Sequence, residues 1–184
     1  MRLFTAVTLG STIEAHATAT LERLHALAPR ARWVPSHGVH LTLVFLGEVE
    51  ESRLPELGEV LHPVSLRHKP LTLSIEGGGS FGPPRHPHVL WAGVGGETAT
   101  LEALQQDMAA ALEPLGFPRD KRLYTAHLTL ARSKDPKGDP AFVTCVRALE
   151  GRHWGEARVE HFTLFESKAG RYLPRLEFPL GEAP

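Results

Sequence analysis

Four of the eleven histidines are followed two places later by a threonine: His16/Thr18, His40/Thr42, His127/Thr129 and His161/Thr163. With 13 threonines in 184 residues, fewer than one such pair is expected by chance. An imidazole, with an ordinary pKa of about 6.5, serves as acid or base near neutrality. A neighbouring hydroxyl donates a hydrogen bond to an oxygen on which charge develops. Two such pairs aimed at one point suit cleavage or transfer of a phosphodiester. One ring takes a proton from the attacking water or hydroxyl while the other gives one to the departing oxygen. That arrangement needs no metal.

The elements decide which pairs can act together. Residues two apart on a helix point in different directions, whereas on a strand they share a face at roughly 6.5 Å. His16/Thr18 falls in a helical stretch whose apolar stripe is Ile13, Ala17, Leu21, Leu24 and Ala28, opened by a capping box at Ser11–Glu14 and ended by Pro29. The other three pairs fall in alternating, strand-like segments. The chain reads as strand 3–9, that helix, strand 39–47, a helix around Leu54, Leu57, Val60 and Leu61 stopped by Pro63, and strand 71–77. Residues 77–87, GGGSFGPPRHP, read as a loop. Strand 88–94 and a helix through Leu101, Leu104, Met108, Leu112 and Leu115, closed by Gly116, follow. Then come strand 123–132, a helix opened by Asp139-Pro140 and running through Val143, Val146 and Leu149, and strand 157–167. After the turn Lys168-Ala169-Gly170, Pro174 and Pro179 make the last strand, 172–180, an edge.

The order strand, helix, strand, helix, strand occurs twice, and His40 and His127 lie 87 residues apart in equivalent strands. The expectation is one domain, 1–184, with an internal repeat over about 1–86 and 87–180, its two copies facing each other. The fold class is α+β: bilobal, two pseudo-symmetric halves, each with an antiparallel sheet and flanking helices around a central cleft. His161 lies in the third strand of its copy, outside the paired strands, so the site is expected to consist of His40, Thr42, His127 and Thr129.

Composition narrows the setting. A net charge of −1, from 20 Lys and Arg against 21 Asp and Glu, disfavours a protein that coats duplex nucleic acid. The single cysteine, Cys145, excludes an internal disulfide and a multi-cysteine metal site. No apolar run reaches the roughly 18–20 residues that span a bilayer, and MRLFTAVTLGST is no secretory signal. A cytoplasmic monomer without membrane contact is expected. Locally, 119–137 carries Arg119, Lys121, Arg122, Arg132, Lys134 and Lys137 against Asp120 and Asp135, whereas 48–59 is acidic. These charges should favour a neutral His127, suited to be the base, and a protonated His40, suited to be the acid. Phe4, Trp33, Trp91, Tyr124 and Tyr172 are candidate base-stacking surfaces, with core packing the competing reading of each. His86-Pro87-His88 lacks a third ligand at suitable spacing and reads as loop.

RLFTAVTL, GVHLTLVFLGEV, HVLWAGV, HLTLAR and FTLFES…G…Y together resemble the two-histidine (2H) phosphoesterases, and within them the RNA 2′,3′-cyclic phosphodiesterases, historically called 2′-5′ RNA ligases. The resemblance spans almost the whole chain. It implies hydrolysis of a 2′,3′-cyclic phosphate on an RNA end or small cyclic nucleotide to a 2′-phosphate, with no metal or other cofactor. It also makes His40 the proton donor to the leaving 3′ oxygen and His127 the proton acceptor from water, with Thr42 and Thr129 on the phosphate. Arg132 matches an arginine after the second motif that contacts phosphate, although simple strand alternation puts it on the face opposite His127. The chain departs from the family at Ala126 and Gly10, where proline is usual. Reversible 2′-5′ RNA ligation, a phosphodiesterase for another 2′-5′-linked or cyclic nucleotide, a non-catalytic RNA-binding module and a histidine-rich metallohydrolase remain the alternatives.

Overall fold

In the computed structural model, which describes residues 1–181, nine strands and four helices alternate along the chain. They are β1 (Arg2–Thr8), α1 (Gly10–Leu27), β2 (Arg32–Trp33), β3 (His40–Glu48), α2 (Leu54–Leu66), β4 (Leu71–Phe81), β5 (Val89–Gly96), α3 (Thr98–Leu112), β6 (His127–Arg132), α4 (Ala141–Leu149), β7 (His153–Val159), β8 (His161–Lys168) and β9 (Arg171–Pro179). Two antiparallel sheets result, of order β3-β1-β8-β9 and β2-β6-β5-β4-β7.

The expected α+β class and paired sheets are present, and each sheet draws on both halves of the chain. β1 is flanked by β3 and β8 as β5 is flanked by β6 and β4, with β9 and β7 outermost beside β8 and β4. The third strand of each half therefore crosses to the other half's sheet. Residues 157–167, expected as one strand, are accordingly two. β7 ends at Val159 and pairs with β4, while β8 begins at His161 and pairs with β1. The buried apolar positions change phase at the switch, from Ala157 and Val159 in β7 to Phe162 and Leu164 in β8, because each strand faces the core from a different sheet.

The helices close the outer faces. α2 and α3 back the four-stranded sheet, where Gln105 Nε2 of α3 donates to the Leu43 carbonyl at 3.4 Å and the buried Thr5 hydroxyl donates to Met108 Sδ at 2.9 Å. α1 and α4 back the five-stranded sheet. The α1 stripe Ile13, Ala17, Leu21 and Leu24 is buried as its 3.6-residue period requires. In α4 the buried residues are Phe142, Cys145 and Leu149, with Val143 and Val146 only partly covered. Asp139 does cap that helix, its Oδ1 accepting the Ala141 N–H at 2.9 Å.

Four local expectations are corrected. Ser11 and Glu14 form no capping box: Gly10, at φ +81°, turns the chain into α1 one residue early, so Ser11 lies within the first turn. Pro63 does not stop α2, which runs on to Leu66 because Val64, on the buried face with Leu57 and Leu61, stays in the core. β6 begins only at His127, so 123–126 are not strand. Residues 77–81 are not loop but the continuation of β4, with a register shift at Gly77 and pairing to β5 resumed from Gly78 to Phe81. Glycine is required there by contact: a Cβ on Gly79 would lie 2.5 Å from the Trp91 indole. Among the described residues no helix is long and apolar enough to cross a membrane.

Candidate active site

β3 and β6 carry the same run, His-Leu-Thr-Leu. Leu41, Leu43, Leu128 and Leu130 enter the core, which forces His40, Thr42, His127 and Thr129 onto the opposite, half-covered faces of their strands. β3 and β6 pack against each other between the sheets, and the Tyr124 hydroxyl, just upstream of β6, donates to the Thr42 carbonyl at 3.0 Å. The two motifs thus meet where the open faces join.

Both rings are held alike. His40 Nδ1 lies 2.6 Å from the Gly38 carbonyl and His127 Nδ1 lies 2.7 Å from the Thr125 carbonyl. A carbonyl only accepts, so each Nδ1 keeps its proton and each Nε2 is left for chemistry. His40 Nε2 stands 3.0 Å from Thr42 Oγ1. These two carbonyls, each two residues before its histidine, are part of the site that side-chain motifs do not reveal.

The surroundings differ. Phe4 lies 5.0 Å from the His40 ring and Tyr172 meets it edge-on at 4.9 Å, with Phe165 at 6.5 Å. Burial in this apolar cage pushes the His40 pKa below the ordinary imidazole value, and the Gly38 carbonyl only partly opposes the shift. The expectation that the acidic stretch 48–59 holds a proton on His40 is therefore reversed in the free protein: desolvation outweighs charges that face water. His127 is framed by Phe81, edge-on at 4.9 Å, and Trp91 at 6.5 Å.

Arg132 is on the same face as His127 and Thr129, contrary to simple alternation. Trp91 pairs with Thr129 and Leu90 with Ala131, so Leu130 is a bulge that returns the next residue but one to the motif's face. The same bulge occurs at Leu43, between Ala6↔Thr42 and Thr5↔Val44. It places Phe45 where Arg132 stands in the other lobe. A bulge follows from pairing and carries no residue signature in this chain.

Of the five candidate stacking aromatics, Phe4, Trp91 and Tyr172 border the histidines. Phe4 is covered, Trp33 donates its indole N–H to the Ala28 carbonyl at 2.9 Å, and Tyr124 serves as the tie just described. Phe45, 60% exposed, and Phe81, 37% exposed, are further aromatic surfaces, which no motif in the sequence marks. His161 lies on β8, separated from β3 by β1, with its Nδ1 3.9 Å from Glu177 Oε1. Thr18 caps nothing in the site; its hydroxyl donates back along α1 to the Glu14 carbonyl. Among the described residues no three His, Cys, Asp or Glu side chains are grouped to hold a metal ion.

Comparison with known proteins bears on this geometry. Residues 11–171 match the model of the 2′-5′ RNA ligase superfamily. An RNA 2′,3′-cyclic phosphodiesterase of Archaeoglobus fulgidus is 36% identical over 167 residues, covering 91% of each chain. The crystal structure of TT0787 of Thermus thermophilus superposes with a TM-score of 0.77 at 30% identity, covering 99% of this chain and 100% of that one. E. coli LigT complexed with 3′-AMP superposes with a TM-score of 0.73 at 25% identity, covering 98% of both chains.

Proposed function

The chain belongs to the 2′-5′ RNA ligase superfamily, and from that premise we propose that it is an RNA 2′,3′-cyclic phosphodiesterase that opens the cyclic phosphate to a 2′-phosphate. The observation that carries this reading is the duplicated ring geometry: two imidazoles, each with Nδ1–H held by the carbonyl two residues upstream and Nε2 turned away from that carbonyl, in His40 towards Thr42 Oγ1.

In the proposed reaction, His127 Nε2 takes a proton from water as the water oxygen bonds to phosphorus. The bond from phosphorus to the 3′ oxygen breaks, and His40 Nε2–H delivers a proton to that oxygen. With substrate bound, the protonated His40 turns its Nε2–H from Thr42 Oγ1 to the 3′ oxygen, and the threonine hydroxyl is released to donate to a non-bridging phosphate oxygen. Thr129 and Arg132, on the same face of β6, donate to the phosphate from the other side. The phosphate's own negative charge opposes the desolvation of His40 and restores the proton that burial disfavours.

The test is incubation with a 2′,3′-cyclic mononucleotide in excess chelator, resolving 2′- from 3′-phosphate. The expected outcome is 2′-phosphate at an unchanged rate. Loss of turnover with chelator, restored by Zn²⁺ or Mn²⁺, would overturn the two-imidazole mechanism, and a 3′-phosphate product would exchange the leaving oxygen.

A further inference from the structure

The two motif strands are equivalent, but the ends to which they run are not. Past the bulge, β3 leads to Phe45, Glu48, Glu50 and Glu51, whereas β6 leads to Arg132, Lys134 and Lys137. β2 adds to the second end only. Arg32 pairs in register with Arg132, which puts both guanidinium groups on the face that carries His127. Arg30, in the turn before β2, and Lys134, two residues past β6, line one groove of about 530 Å³.

The groove's two carboxylates are turned to the backbone: Asp135 Oδ1 accepts the Lys137 N–H at 2.8 Å and Asp139 Oδ1 accepts the Ala141 N–H at 2.9 Å. Among the described residues Arg30, Arg32, Arg132 and Lys134 enter no ion pair. At the other end Glu51 is already paired with Arg175 and Glu48 with the N-terminal amine. Cations in no ion pair, beside carboxylates tied to backbone N–H groups, remain available to an anion that follows them. A 2′,3′-cyclic phosphate is the last group of its strand, so the polymer has only its 5′ side to send out of the site.

We infer that the RNA strand 5′ of the cyclic phosphate leaves along the β6–β2 end, with its backbone phosphates on Arg32, Arg30 and Lys134, and that the site is thereby directed to RNA ends in preference to mononucleotides. The inference rests on the proposed cyclic phosphodiesterase reading. The cations past the bulge of β6, where β3 carries none, set the direction of binding although the motifs are nearly symmetric.

Two measurements test it. The first compares kcat/KM for a cyclic mononucleotide and for a single-stranded oligoribonucleotide ending in the same cyclic nucleotide. In Arg32→Gln and Lys134→Gln, KM for the oligonucleotide should rise roughly three- to tenfold, while the mononucleotide's kcat/KM stays within about twofold and Glu50→Gln changes neither. The second is fluorescence anisotropy of an oligoribonucleotide ending in a 2′-phosphate. Each variant should lower the slope of log affinity against log salt by about 0.7. Unchanged oligonucleotide affinity and salt slope in the double variant would overturn the inference, as would equal losses for both substrates. If wild type turned over neither substrate, the cyclic phosphodiesterase reading would fall, and the anisotropy result would still decide the track.

Discussion

The carbonyl oxygens of Gly38 and Thr125 determine which nitrogen each imidazole can use, and the burial of His40 determines how readily it carries a proton. Because desolvation penalises the cation, the free protein should show His40 titrating below about 6.5, the ordinary value. Its folded form then binds fewer protons than the unfolded chain in that window, so the His40 contribution to stability is lost as pH falls from about 6.5 through the folded midpoint. NMR titration of the histidine rings checks this. A bound 2′-phosphate nucleotide should move the midpoint up, and a free-protein midpoint above the ordinary value would contradict the desolvation account. The proposed acid and base roles can be separated by the choice of substrate. His40→Ala and His127→Ala should each lose on the order of 10²-fold or more on the natural ester. On an aryl phosphodiester, whose leaving group needs little protonation, His40→Ala should recover most of its rate while His127→Ala stays impaired. Recovery by His127→Ala alone would exchange the two roles.

At the scale of elements, the site depends on departures from regular strands. The bulges at Leu43 and Leu130 bring Phe45 and Arg132 onto the faces of the motifs. The glycine run of β4 gives Trp91 room to lie across it beside His127. Gly79→Ala would place a methyl group 2.5 Å from two atoms of the indole, so the ring must shift. Overpacking of this kind costs about 1–3 kcal/mol, a Tm loss of roughly 2–12 °C for a chain of this size. Turnover should fall along with Tm, because the displaced indole borders the His127 ring. Calorimetry together with kcat/KM measures both, and an unaltered Tm would show that the indole has space the packing denies. The helical stripes were legible from period alone, since a 3.6-residue repeat of Ile and Leu has one burial solution. The glycine run was not, because glycine freedom and glycine clearance look alike in a sequence.

For the whole molecule, exchange of β4 and β8 between halves ties the sheets together covalently in both directions. Directly at the site, the Tyr124 hydroxyl on the Thr42 carbonyl joins the two motif segments, and burial pushes that phenol's pKa well up, so it remains a donor at any working pH. Tyr124→Phe removes one partly buried hydrogen bond, about 0.5–1.5 kcal/mol. A small fall in Tm should accompany a several-fold loss in kcat/KM as β3 and β6 lose their tie. Full activity with the same small Tm change would reduce Tyr124 to packing.

What the sequence determined by itself was set by local rules. Strand alternation put His40 with Thr42 and His127 with Thr129, the repeat made those two strands equivalent, and the Lys168-Ala169-Gly170 turn joined β8 to β9, with φ of 51° at Ala169 and 74° at Gly170. Three things needed the tertiary structure: which strands pair, where pairing slips by a residue, and how much water reaches each ring. Each depends on residues far apart in sequence. Arg132 takes its side of the sheet from Trp91 and Leu90, and β7 and β8 part at Glu160 because their partners, β4 and β1, lie in different sheets. His40 differs from His127 because Phe4, Phe165 and Tyr172, from three other strands, close over it. Identical tetrapeptides therefore occupy unlike environments, because solvation is a property of the assembled neighbours and not of the motif.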